Sequence, residues 1–361
     1  MRRDFLEAGG ARRRQRDPRP SLKNHLGKFH AIKTLLTPQC TAAVLAAAGP
    51  RSMKCRFLLQ LAAWMSLPLG ALATENGTTA FPNGAEDFLV AGMPPPGWYG
   101  WVYYNHYQSN FLADNSGRMP VQSFDLKVNA VSLRLDWVRP VSILGADRWG
   151  TLLFLPVVDL NLALSPVPGV SFKGSKTGLG DITIGNGLHW TFKNFEMLNA
   201  VDVAVPIGAY DKNDLVNPGQ NRWVVRLNHM GTWHPTPAWD VSYRLMWDYN
   251  FNNPATDYHS GQTVYLNWAL GWKPTPPLTV GVAGYFLRQI TDDRQRGQVV
   301  GSNGNRVRVD AIGPCVKYFL PNHVMLTAKY FREFDVRNHP RGDVFWFSVA
   351  VPFGRKSPPG H

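Results

Sequence analysis

From residue 98 onward apolar side chains recur at every second position rather than every third or fourth, which places them on one face of an extended strand. Asp240 to Phe251 shows the pattern most clearly: Asp240, Ser242, Arg244, Met246, Asp248 and Asn250 alternate with Val241, Tyr243, Leu245, Trp247, Tyr249 and Phe251. Ile182, Ile184, Leu188 and Trp190 alternate in the same way with Thr183 and His189, and Val131, Leu133, Leu135 and Trp137 with Ser132, Arg134 and Asp136. Twelve such segments are predicted, at 98–108, 126–139, 150–164, 179–192, 198–207, 222–233, 239–250, 263–272, 279–290, 306–319, 324–334 and 343–353. Their connections alternate between long (109–125, 165–178, 208–221, 251–262, 291–305) and short (193–197, 234–238, 273–278, 320–323), with 140–149 moderate and 335–342 middling. Long and short connections on opposite ends describe an up-and-down antiparallel barrel.

Alternation alone permits two facings. A soluble barrel turns its rings inward, whereas a membrane barrel turns them to lipid and keeps charge in the lumen. Three features favour the membrane. The strand number is even, with both ends of the barrel on the short-turn side. Aromatic residues gather toward strand ends, as at Trp98, Trp101, Trp137, Trp149, Trp190, Trp233, Trp239 and Trp272, where interfacial girdles sit. Upstream, Met53 to Ala73 reads as a secretory signal peptide: Lys54 and Arg56, an apolar core from Phe57 to Leu69, and Ala71-Leu72-Ala73 before Thr74. Residues 1–52 would obstruct that signal and are expected to be an extension from a mis-assigned start. The expectation is an all-β transmembrane up-and-down barrel of about 12 strands over 98–353, in a Gram-negative outer membrane. Its long loops are extracellular and its termini periplasmic, with a tail at 354–361.

With that facing, the charged residues opposite the apolar faces become lumen-lining candidates: Arg134, Asp136, Asp159, Asp181, Asp202, Arg222, Arg226, Asp240, Arg244, Asp248, Arg306, Arg308, Asp310, Lys329 and Glu333. Lys317 breaks parity with Val307 and Val309, and a bulge at Gly313-Pro314 would reset it. Ahead of the first strand, residues 82–97 contain Glu86 and Asp87 and the triplet Pro94, Pro95 and Pro96, too stiff for a helix. This segment is either a periplasmic linker or a plug in the lower lumen. As a plug it would be held by Arg222, Arg226, Arg244, Asp240 and Asp248 through Glu86 and Asp87.

Composition narrows the alternatives. The chain carries a formal charge of +13, but thirteen of its 38 basic and three of its 25 acidic residues precede residue 74, leaving +3 for the remainder. The case for a nucleic-acid partner falls with it. Cys40 and Cys55 precede Thr74, so Cys315 stands alone in the mature chain and no internal disulfide is possible. No GxSxG or HExxH occurs, His259 and Ser260 are adjacent and point apart in a strand, and the histidines lack ligand spacing, so neither catalyst, metal nor cofactor is indicated. Asp257, Asp292 and Asp293 are read as a solvated acidic loop in preference to a cation site.

Asn83 to Phe88 with Pro94 to Tyr99, Gly178-Leu179-Gly180-Asp181, Asn217-Pro218-Gly219, Asn250 to Thr256 and Gln289 to Asp293 form a set of blocks spread over most of the mature chain. In these blocks the chain resembles the MetA-pathway of phenol degradation family of outer-membrane proteins. The resemblance implies a barrel associated with uptake of aromatic or other small hydrophobic solutes. Membrane lipid and, through the last strand (Phe345, Phe347, Val349, Val351, Phe353), the barrel-assembly machinery are the further partners expected. A lipid hydrolase or acyltransferase barrel and a surface adhesion barrel are the alternatives.

Overall fold

In the computed structural model, the described residues are Glu75, Thr79, 81–301, 303–321 and 323–353. The signal peptide, the upstream extension and the tail lie outside them. The strands are β1 (Gly97–Leu112), β2 (Ser123–Pro140), β3 (Arg148–Ser165), β4 (Phe172–Leu179), β5 (Ile182–Thr191) and β6 (Phe195–Val205). They continue with β7 (Val224–Trp233), β8 (Trp239–Asn250), β11 (Thr263–Thr275), β12 (Leu278–Gln289), β15 (Arg308–Phe319), β16 (Met325–Arg337) and β17 (Pro340–Phe353). Two-residue ladders β9 (Asn252–Asn253), β10 (Tyr258–His259), β13 (Arg294–Gln295) and β14 (Gln298–Val299) form a small sheet in the long loops.

Every neighbouring pair is antiparallel. β1 joins β17 from Trp98↔Phe353 onward, and β2 joins β3, so the sheet closes on itself. β4 and β5 are one wall bent at Gly180-Asp181, both pairing with β3, and the barrel therefore has twelve walls. Closure leaves no free edge, the condition for a sheet to cross lipid.

The facing follows from burial. On β8, Leu245 is 44% exposed and Trp239 and Tyr249 stand out beside it, as does Phe251 just past its end, whereas Arg244 is 3% exposed and Asp240 and Asp248 are buried. Rings outside with charge inside is the arrangement of a barrel solvated by hydrocarbon.

The outer ends of β2 and β3 depart from this rule. Val131 and Leu133 on β2 face outward and are exposed, but above them the same outer parity carries Asn129, Lys127 and Asp125. Inward, Phe124 and then Leu160, Leu162 and Leu164 of β3 are buried in an apolar cluster with Val216. Polarity inverts without a register slip, because these strands rise beyond the apolar belt and take on the inside-out pattern of a water-soluble barrel. Asp159 lies on the outer face of this projection, accepting hydrogen bonds from Thr177 (2.6 Å) and Asn161 (2.9 Å), and not in the lumen. Residues 172–178, expected in a long loop, extend the projection as part of β4.

The expected bulge at Gly313-Pro314 is absent. β15 pairs with β12 without a shift from Leu278↔Tyr318 to Arg288↔Arg308, and the irregularity sits on β16, where Asp335 has φ 47°. Val307, Val309 and Lys317 therefore share the buried parity. Arg308 and Asp310 take the outer parity near the long-loop end, paired with Asp335 and Arg288 respectively. Arg306 pairs with Asp292 at 2.7 Å in the loop before β15. The expectation that these three line the lumen is corrected by parity.

Candidate functional site

The segment before β1 enters the barrel and runs most of its length. At the long-loop end, Glu75 meets the Tyr210 hydroxyl (3.2 Å) and Asn253 (2.5 Å). Ala85 and Glu86 carbonyls accept from Lys329 at 2.6 and 3.2 Å, and Phe88 fits against Gly271, where an added Cβ would lie 2.8 Å from its ring. The Leu89 N–H donates to Ser242 (3.0 Å) and that of Ala91 to Thr232 (3.0 Å). At the short-turn end, Arg148 donates to the Met93 carbonyl, and Tyr99 to that of Pro95 (2.7 Å). Pro95 and Pro96 are exposed and turn the chain out of the lumen into β1, while Pro94 stays against the lumen. Residues 82–97 were expected to be either a periplasmic linker or a plug in the lower lumen, with the termini on the short-turn side; the contacts of residues 85–91 lie within the lumen, and Glu75 at the long-loop end corrects the placement of the N-terminal end.

Its two acids are held separately. Glu86 pairs with Arg244 of β8 and lies 4.0 Å from Arg134 of β2, which also holds Asp136 at 2.8 Å. Arg244 reaches Asp202 at 3.2 Å. Asp87 pairs with two buried ammoniums, Lys317 at 2.5 Å and Lys329 at 3.1 Å. Lys317 reads as a parity breaker in the sequence, so the pattern misses this partner; its apolar neighbours Val316 and Tyr318 at i±1 are the available signal. Of the other expected anchors, Arg226 holds Asp248 through two 2.6 Å bonds, Arg222 donates to Asn250 (3.3 Å), and Asp240 accepts from Ser242 (2.7 Å). Asp181 accepts the N–H groups of Gly208 (2.9 Å) and Gln220 (2.8 Å), tying the 206–223 connection to the β4–β5 bend. Gly208 and Gly219 pack there with no room for a Cβ.

Glu86, Arg134, Arg244 and Asp202 thus form a charged layer across the lumen. On the long-loop side a cavity of about 280 Å³ is walled by apolar side chains of β2 and β3, with Tyr103, Phe154, Trp346 and Glu333 contributing. Glu333 accepts from the Tyr285 (2.7 Å) and Tyr107 (3.0 Å) hydroxyls. On the other side a second cavity of about 90 Å³ is lined by the same four charged residues, by Asp136, and by Val90, Met93 and Pro94 of the segment. Among the described residues no cluster of His, Cys, Asp or Glu has the disposition of a metal site.

Residues 109–349, most of the barrel, match the family described as "Putative MetA-pathway of phenol degradation". The chain belongs to this family. Among solved structures it is similar to an outer membrane channel from Pseudomonas putida F1, with 18% identity and a TM-score of 0.66 over 76% of this chain and 99% of that one. That likeness establishes the shared barrel fold. The β domain of the Bordetella autotransporter BrkA is 12% identical with a TM-score of 0.46, over 71% of this chain and 100% of that one. The CymD monoaromatic hydrocarbon channel is 9% identical with a TM-score of 0.39, over 74% and 91%. Curated protein sequences include no match.

Proposed function

We propose that this family member is an outer-membrane channel for small hydrophobic and aromatic compounds, non-catalytic, with long loops extracellular and the segment 82–97 as its gate. The observation that carries the reading is the sequence of environments along the lumen. An apolar chamber inside the β2–β3 projection receives a hydrophobic solute from the outer side. The charged layer closed by Glu86 then separates it from the vestibule that leads to the short-turn rim. An apolar solute gains on entering such a chamber from water, and the layer resists small ions while the segment is docked. Membership of a family tied to phenol degradation supports the choice of aromatic solutes.

On this reading residues 53–73 are the signal peptide, translation begins at Met53, and the outward Phe345, Phe347 and Phe353 of β17 are what the assembly machinery reads. The test is uptake of a phenol, benzoate and toluene series by proteoliposomes, beside single-channel conductance of the protein lacking residues 82–92. Aromatic uptake above that of empty vesicles is expected, with a severalfold rise in small-ion conductance on deletion and intact heat-modifiable migration. Absence of uptake, with an intact barrel, overturns the channel reading; unchanged conductance overturns the gate.

A further inference from the structure

The floor of the apolar chamber includes Phe81, a residue of the inserted segment and not of the wall. Its ring centroid lies 4.5 Å from the Arg226 guanidinium and 4.7 Å from that of Arg244. Both arginines are buried and held in place by hydrogen bonds. Asp248 takes Nε and Nη2 of Arg226 at 2.6 Å each, and Asn228 takes Nε and Nη2 of Arg244 at 2.9 and 2.7 Å. Hydrogen bonds of this kind lie in the guanidinium plane, so the planar faces remain free for a π system. Tyr265 presents a further ring 5.6 Å from Arg226.

We infer that the Arg226–Arg244 pair is a binding subsite for the ring of an aromatic solute, occupied here by Phe81 as an internal ligand. A benzyl side chain and a phenol or toluene molecule are alike in size and share the π face that a desolvated guanidinium attracts. Phe81 and Arg244 line the chamber, so a ring arriving there meets the occupied slot directly. Solute and segment then compete for the same two cations. A solute that displaces Phe81 favours the undocked segment in proportion to its preference for that state. An aliphatic solute of equal volume has no π face and competes poorly, so the slot confers selection for rings as well as coupling to the gate.

The inference rests on the channel reading for its solute but not for its route, and equilibrium binding tests it apart from transport. Purified wild type, Phe81→Ala and Phe81→Leu are titrated calorimetrically with phenol and with cyclohexanol, and the same preparations are assayed for phenol uptake in vesicles. Phe81→Ala is expected to bind phenol roughly tenfold more tightly than wild type, with cyclohexanol changed less than about twofold. Phe81→Leu keeps the apolar volume without the π face, is expected to show the same order with a smaller gain, and serves if the alanine variant fails to assemble. Equal gains for phenol and cyclohexanol would mean that only apolar space was vacated, and they overturn the subsite, as does the absence of gain for either. If phenol-selective gain occurs without uptake, the subsite stands and the channel reading fails. Uptake without selective gain has the opposite meaning.

Discussion

Replacing Asp87 by Asn removes the one carboxylate that faces two buried ammoniums while keeping the side-chain volume. The side chains of Lys317 and Lys329 are 5% and 2% exposed, so neither can turn to water while the segment is docked. Breaking a buried pair by removing one partner costs about 3–5 kcal/mol, because the remaining charge is left uncompensated. Lys317 keeps the Phe88 carbonyl and Lys329 those of Ala85 and Glu86, which argues for the lower end, about 3 kcal/mol. Those carbonyls belong to the segment, so undocking hydrates both lysines and the cost falls on the docked state alone. At about 1.4 kcal/mol per decade, docking weakens by roughly a hundredfold. In planar bilayers this appears as longer and more frequent open dwells, and in vesicles as faster proteolysis within residues 82–92. Adding Lys317→Met, which removes one stranded charge, recovers part of the closed behaviour. An Asp87→Asn protein with wild-type dwell times and wild-type protease resistance, in a heat-modifiable barrel, would refute the anchoring argument.

Further outcomes follow from the same geometry. A cysteine at position 245 reacts with a lipid-confined probe and one at 244 does not, since Leu245 is exposed on the outer face and Arg244 is buried within; the reverse pattern defeats the membrane facing. Glu75→Cys is labelled by an impermeant maleimide on intact cells, whereas Thr236→Cys, on a short turn, requires permeabilised cells; equal labelling counts against the orientation. N-terminal sequencing of the membrane-fraction protein reads from Thr74, and peptides preceding Met53 contradict the start site. Burial pushes the His339 imidazole down from 6.5 to about 4. The unfolded rim binds a proton below pH 6.5 that the native rim refuses until about pH 4, so local stability is complete above pH 6.5 and declines between those values. Histidine NMR with a His339 midpoint near 6.5 would contradict its burial.

The period-two pattern is sufficient to locate all twelve walls, because each carries its own alternation within a few residues and a strand needs no distant partner to display it. Facing is legible on β8, where rings and charges separate cleanly along the chain. It is misjudged at the outer ends of β3 and β15, since polarity depends on which solvent meets each height of the wall, and nothing in a local window marks where lipid stops. Asp159, Arg308 and Asp310 are misplaced for that reason, and the slip on β15 is compounded by assigning a bulge to Gly313-Pro314 when the irregular backbone sits at Asp335 of the adjoining strand. Glu86 and Asp87 stand out as acids ahead of the barrel, but their partners lie about 50 to 240 residues away in sequence. Lys317 and Lys329 meet Asp87 only because closure brings β15 and β16 around the inserted chain. The path of that segment, the charged layer it completes and the place of Phe81 over Arg226 and Arg244 are properties of the closed barrel, where long-range contacts that leave no periodic trace in the sequence choose among conformations that local propensity leaves equal.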